Sequence, residues 1–142
     1  MDNKESSVTP ETSVFHQKQS GIIPYFRIGY AMLASIFAAC IIVQVFFAGM
    51  ALFMGYAGWG LHISFVPMFM YLPLLMLVTG IIGRLTKKLI WMNVMLVAMI
   101  ILQYITVEFS TEMGVLGALH PIIAFLLFGA SLSMAQQSWK YV

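Results

Sequence analysis

The sequence predicts an all-α integral membrane protein, an up-down-up-down four-helix bundle with both termini cytoplasmic. Three observations predict it. Of the 142 residues, 61% are hydrophobic and only 8% charged, and the apolar runs exceed what a small globular core can cover. Four stretches reach the ~20 apolar residues needed to cross a hydrocarbon core of ~30 Å. Threaded as helices, these stretches place all seven Lys and Arg residues on one side of the bilayer, which the positive-inside rule assigns to the cytoplasm.

Residues 1–20 are polar, rich in Ser, Thr and acids, and lack the basic-then-apolar order of a cleavable signal peptide, so they read as a disordered cytoplasmic tail. The membrane domain takes residues 21–142. Gly21 and Pro24 punctuate the entry to helix one, about 25–54, where the missing proline N–H costs nothing in a first turn. That helix is long enough to tilt or to protrude from the bilayer. An uncharged turn, residues 55–60, leads to helix two, about 61–83, in which Pro67 and Pro73 each free a carbonyl one turn earlier and predict a bend. Arg84, Lys87 and Lys88 separate it from helix three, about 89–108. The next turn carries only the acids Glu108 and Glu112 before helix four, about 116–139. Such short connections force neighbouring helices antiparallel and leave no room for a second domain.

Several function classes are disfavoured. The formal charge of +2 comes from basic residues dispersed along one membrane face, a distribution that predicts phospholipid contact and no nucleic-acid partner. Cys40, the sole cysteine, reads as a small buried apolar residue. The 12 Met and 11 Phe residues are spread over every helix face, which is bulk apolar packing and not a copper or cofactor box. Gly49, Gly80, Gly83, Gly114, Gly117 and Gly129 predict close helix approach without naming a dimer face. The absence of intramembrane acidic or basic side chains argues against ion-coupled transport.

What the bilayer penalises, and what therefore calls for a partner inside the bundle, is a short set of polar residues: Gln44, His62, Asn93, Gln103 and His120. Counting ~1.5 Å per residue puts His62 and His120 near the outer surface, Gln103 roughly 8 Å below the end of helix three and Gln44 about 15 Å below the end of helix one. Asn93 lies near the cytoplasmic end and reads as a local hydrogen bonder. Helices two and four are diagonal in such a bundle, so the two histidines can face each other across the core at equal depth. That is what two axial ligands of one iron require, with metal–nitrogen bonds of ~2 Å and a porphyrin slotted between the helices.

Two readings follow. In the first, His62 and His120 ligate one b-type haem, Gln44 and Gln103 hydrogen bond around it, and Trp59 and Tyr56 close its outer edge. The chain then serves electron transfer or haem handling, with a redox partner or a larger membrane complex beside the lipid bilayer. In the second, the chain is a non-catalytic membrane subunit or assembly factor, and the polar cluster only locks the bundle. His120 directly precedes Pro121, so it can also be read as the N-cap of helix four at the membrane rim. The outer side offers no Lys or Arg for haem propionates. Glu108 or Glu112 would be needed as a third ligand for a lone zinc or copper ion. Homo-oligomerisation stays open.

The segments Gln44-Val45-Phe46-Phe47-Ala48-Gly49, Leu61-His62, Gly83-Arg84-Leu85, Leu102-Gln103 and Leu119-His120-Pro121 resemble an uncharacterised family of small bacterial four-helix membrane proteins, over about residues 25–133. The resemblance implies a multi-pass protein of the bacterial cell membrane and implies that these Gln and His residues recur as the family's polar marks. It implies no activity. In its opposed histidines the chain also looks like membrane b-type cytochromes, in architecture alone.

Overall fold

The computed structural model describes residues 10–142, with side chains for residues 21–55 and 58–142. It is all-helical: α1 (Pro10–Met54), α2 (Tyr56–Phe69), α3 (Leu72–Ile82), α4 (Lys87–Glu108), α5 (Gly114–Ser138) and a final 3-10 turn, Trp139–Tyr141. α2 and α3 together make one span, so four spans are long and apolar enough to cross a membrane. The chain is a multi-pass membrane protein. Of the stretch expected as a tail, residues 1–9 lie outside the described residues. From Pro10 onward the chain is already helical, and Pro24 sits inside α1 rather than at its start. The physical reason is that a helical ladder propagates at little cost once a long apolar span has nucleated it.

α1 packs on α2, α3 and α5, and α4 packs on α3 and α5. Spans two and four are therefore diagonal, as expected. The contact between spans two and three is made by α3, whereas α2 diverges from α4 without extensive packing. Most apolar side chains face lipid, where no hydrophobic effect joins helices, so the bundle depends on shape and on small residues. Gly80 accepts the Tyr30 ring and Ile90 at its bare Cα, and Ala31, Ala34 and Ala38 are buried on α1.

The inward seam of each helix, made of buried and half-buried residues, follows a four-three spacing. On α1 it runs Tyr30, Ala34, Phe37, Ile41, Gln44, Ala51; on α4 it runs Leu89, Asn93, Leu96, Ile100, Gln103, with Ser110 just beyond the helix. Each position of the second set lies 59 residues after its counterpart. On span two the seam is His62, Phe69, Pro73, Met76, Gly80, and on α5 it is His120, Leu127, Ser131, Met134, Ser138, each 58 residues later. The protein is thus two similar helical hairpins in tandem. Both hairpins start at the end that carries Arg27, Lys87 and Lys88, so they run in the same direction along the bundle. The sequence reading missed this repeat because apolar residues exchange freely along the seams.

Two local expectations change. Asn93, expected to bond locally, is fully buried and donates across the bundle to the Pro73 carbonyl at 2.8 Å. Its register on the α4 seam, facing α3, makes that reach possible. The bend in span two is a true interruption at Met70–Tyr71, with Pro73 at the start of α3. At the basic end, Arg27 Nε donates to the Gly83 carbonyl at 3.0 Å, and Thr86 caps α4 by accepting the Leu89 N–H.

Candidate cofactor site

His62 and His120 each lie six residues into their helices, because α2 starts at Tyr56 and α5 at Gly114, both earlier than the sequence suggested. Both rings are therefore about 9 Å below the helix starts, rather than at the surface. The same fact removes the capping role for His120. Pro121 is inside α5, where its missing N–H leaves only the Gly117 carbonyl without its usual donor.

The seam spacing puts Gln44 beside His62 and Gln103 beside His120. Gln44 Nε2 donates to the His62 carbonyl at 2.8 Å and lies 3.0 Å from His62 Nδ1, which in turn is 3.2 Å from the Gln44 carbonyl. The second hairpin repeats the pattern. With the Gln103 amide turned so that its nitrogen faces acceptors and its oxygen a donor, it donates to the His120 carbonyl at 3.1 Å and reaches Nδ1 at 2.7 Å. Its oxygen then accepts the Ala124 N–H at 2.8 Å. His120 Nδ1 is 3.3 Å from the Gln103 carbonyl. The Gln103 amide thus bridges the carbonyl and N–H that a regular helix pairs across one turn, which the neighbouring proline helps to loosen. Each hairpin holds its histidine by an interhelical Gln–His clamp.

Nδ1 has one hydrogen or one lone pair, so each clamp has two forms. In one, the amide donates to Nδ1 and the proton sits on Nε2. In the other, Nδ1–H donates to the Gln backbone carbonyl and Nε2 presents a lone pair. In both forms Nε2 of each ring makes no hydrogen bond to protein among the described residues. The two ring centres are 6.4 Å apart at an interplanar angle of 66°. Two imidazoles on one metal, with bonds of ~2 Å and about 1 Å more from nitrogen to ring centre, stand about 6 Å apart.

Trp59, one turn before His62, meets that ring edge-on at 5.7 Å. The Tyr56 side chain lies outside the described residues. Sequence reasoning missed Thr106, which is buried, donates to the Gln103 carbonyl at 2.8 Å and places its hydroxyl 3.3 Å from His120 Nδ1. Its signal was its place one turn after Gln103 on the same seam. Glu108 and Glu112 do not join the histidines: among the described residues no three His, Cys, Asp or Glu side chains gather as a metal-ligand set. The oxygen Gln44 Oε1 is buried without a partner.

Compared with known proteins, residues 44–110 match the profile of a family of unknown function, DUF6220. The match begins at Gln44 and takes in His62, Gln103 and Thr106, with His120 beyond its end. Neither the curated proteins nor the solved structures give a match.

Proposed function

We propose that this chain is a haem-binding protein of the bacterial cell membrane, in which His62 and His120 ligate one b-type haem axially for electron transfer or haem handling. Both termini are cytoplasmic in this reading, and the site lies in the outer half of the bundle. The observation that carries it is the pair of imidazoles at equal depth with ring centres 6.4 Å apart, one from each hairpin. The divergence of α2 from α4 supports it further, because a porphyrin needs a slot beside its axial ligands.

The chain's own groups act as follows. The Gln44 and Gln103 backbone carbonyls accept hydrogen bonds from Nδ1–H, fixing the tautomer that leaves the Nε2 lone pairs of His62 and His120 free to hold the iron and raising their basicity. The Gln amides stay on the His62 and His120 carbonyls and hold the helices in register. Trp59 covers the His62 side from water. Haem held by His62 and His120 would supply one-electron chemistry between ferric and ferrous iron.

The test is a dithionite-reduced minus oxidised visible spectrum of protein purified from cells supplied with haem precursor. Sharp Soret and α bands near one haem per chain are expected, and His62→Ala or His120→Ala should abolish the low-spin signal. A six-coordinate spectrum retained in both variants would sink the assignment.

A second reading is favoured by one observation: in both clamps the amide-to-Nδ1 contact, 3.0 and 2.7 Å, is shorter than the carbonyl contact, 3.2 and 3.3 Å. The chain is then a non-catalytic subunit or assembly factor whose Gln–His clamps staple two hairpins. Either His→Ala change would lower stability by ~0.6 to 2 kcal/mol and remove no chromophore. A flat spectrum with wild-type protein, together with that loss in melting experiments, selects this reading.

A further inference from the structure

In the turn that ends α3, Arg84 N–H donates to the Ile81 carbonyl at 3.1 Å and Leu85 N–H to the Gly80 carbonyl at 3.0 Å. This is a Schellman pairing, whose left-handed residue is most often Gly. Here that residue is Arg84, at φ 50°, the single non-glycine residue with positive φ among the described residues. An L side chain is strained there. Gly83 precedes it at an ordinary φ of −69°. Its bare Cα borders Arg27, whose Cγ and backbone nitrogen are each 3.4 Å from where a Cβ would stand. The loop thus places two arginines at one point, one laid against Gly83 and one on the next residue.

Arg27 is half-buried, and its Nε is held by the Gly83 carbonyl at 3.0 Å. The rest of its guanidinium N–H donors have no protein partner among the described residues. Arg84, Lys87 and Lys88 are exposed. The acids with described side chains, Glu108 and Glu112, lie at or beyond the far end of α4, about 30 Å away at ~1.5 Å per residue. Trp91, one turn after Lys87, is exposed as residues at headgroup level commonly are, and further along the spans Val78, Ile81 and Val94 are exposed to lipid. An exposed lysine at a membrane rim is satisfied by water. A half-buried guanidinium pinned through Nε cannot swing out in that way, so an acceptor has to come to it.

We propose that the α3–α4 loop is a specific site for a phospholipid of net negative charge, drawn from the leaflet at the basic end. Its phosphodiester oxygens accept from the free guanidinium N–H groups of Arg27 and from Arg84, the fork geometry that suits phosphate, and Lys87 and Lys88 flank them. The acyl chains lie against Val78, Ile81 and Val94. A zwitterionic headgroup brings the same phosphate with a cation beside it, which the four basic side chains repel. Free inorganic phosphate has the same oxygens but no tail to hold it at the membrane. This site does not rest on the haem reading, nor on which face of the membrane is cytoplasmic.

The full-length protein is reconstituted in vesicles of equal parts phosphatidylglycerol and phosphatidylcholine with matched acyl chains, extracted in mild detergent and weighed by native mass spectrometry. Retained phosphatidylglycerol is expected, with phosphatidylcholine lost and excess inorganic phosphate displacing nothing. Arg84→Gly relieves the left-handed strain, so it should melt no lower than wild type yet retain about fivefold less phosphatidylglycerol. Arg27→Gln should lower retention likewise. Lys140→Gln removes the same charge at the same end, on the diagonal span, and should leave retention unchanged. Equal retention of both lipids, displacement by inorganic phosphate, unchanged retention in Arg84→Gly, or an equal fall in Lys140→Gln overturns the proposal. Arg84→Gly decides should Arg27→Gln fail to fold.

Discussion

Gly58→Ala is the substitution whose effect the geometry determines most directly. A Cβ built at Gly58 would collide with the Ala51 nitrogen and lie 2.5 Å from the Ala51 Cα and 2.7 Å from the Met50 carbonyl carbon, all backbone atoms that no rotamer change can move. Ordinary carbon contacts are about 3.5–4 Å, so α1 and α2 must separate by about 1 Å or more where they cross. His62 is one turn further along α2, and its Gln44 clamp at 2.8–3.2 Å has no slack for that displacement. Overpacking of this kind costs about 1–3 kcal/mol, and losing the clamp adds ~0.6–1.7 kcal/mol. Gly117 in the other hairpin, one residue beyond the position that corresponds to Gly58, gives an internal comparison. A Cβ at Gly117 would meet the Ser110 Cβ at 3.1 Å and its Cα at an ordinary 3.9 Å, in the loop beyond α4, so Gly117→Ala should cost well under half as much. Thermal melts in detergent, followed by helical circular dichroism, compare the two, and under the haem reading Gly58→Ala also shifts the low-spin spectrum toward mixed spin. Equal melting temperatures for Gly58→Ala, Gly117→Ala and wild type would refute the close crossing of α1 and α2.

Asn93→Ala removes the fully buried side chain that ties α4 to Pro73 and should lower stability by about 1–3 kcal/mol, combining a lost interhelical hydrogen bond with a small cavity; the same melts read it. Thr106→Val keeps the shape and loses the hydroxyl between the Gln103 carbonyl and His120 Nδ1, so a cost of about 1 kcal/mol is expected without any change at His62, which imidazole NMR resolves. Gln44→Leu should loosen His62 while His120 keeps its clamp, because the two Gln–His pairs belong to separate hairpins. For orientation, single-cysteine variants on a Cys40→Ala background are read with a membrane-impermeant maleimide in intact cells: Gly114→Cys should react and Lys88→Cys should not, and the reverse pattern inverts the assigned topology.

Composition and charge placement by themselves determined the number of spans, their approximate bounds and the antiparallel order, because bilayer thickness and backbone satisfaction leave a chain this apolar few alternatives. They also singled out Gln44, His62, Gln103 and His120, since polar groups in a membrane stand out against apolar neighbours in the sequence itself. Only the tertiary structure decided how these are paired. Depth counted from misplaced helix starts put the histidines at the surface and Gln44 below them. The turns proved shorter, α2 and α5 began earlier, and each histidine came level with its glutamine. Asn93 and Thr106 carry no local mark of their role, because whether a seam position meets a carbonyl or lipid depends on the neighbouring helix. The tandem hairpin likewise lies in burial and register, since close packing conserves volume and spacing along a seam while leaving residue identity free.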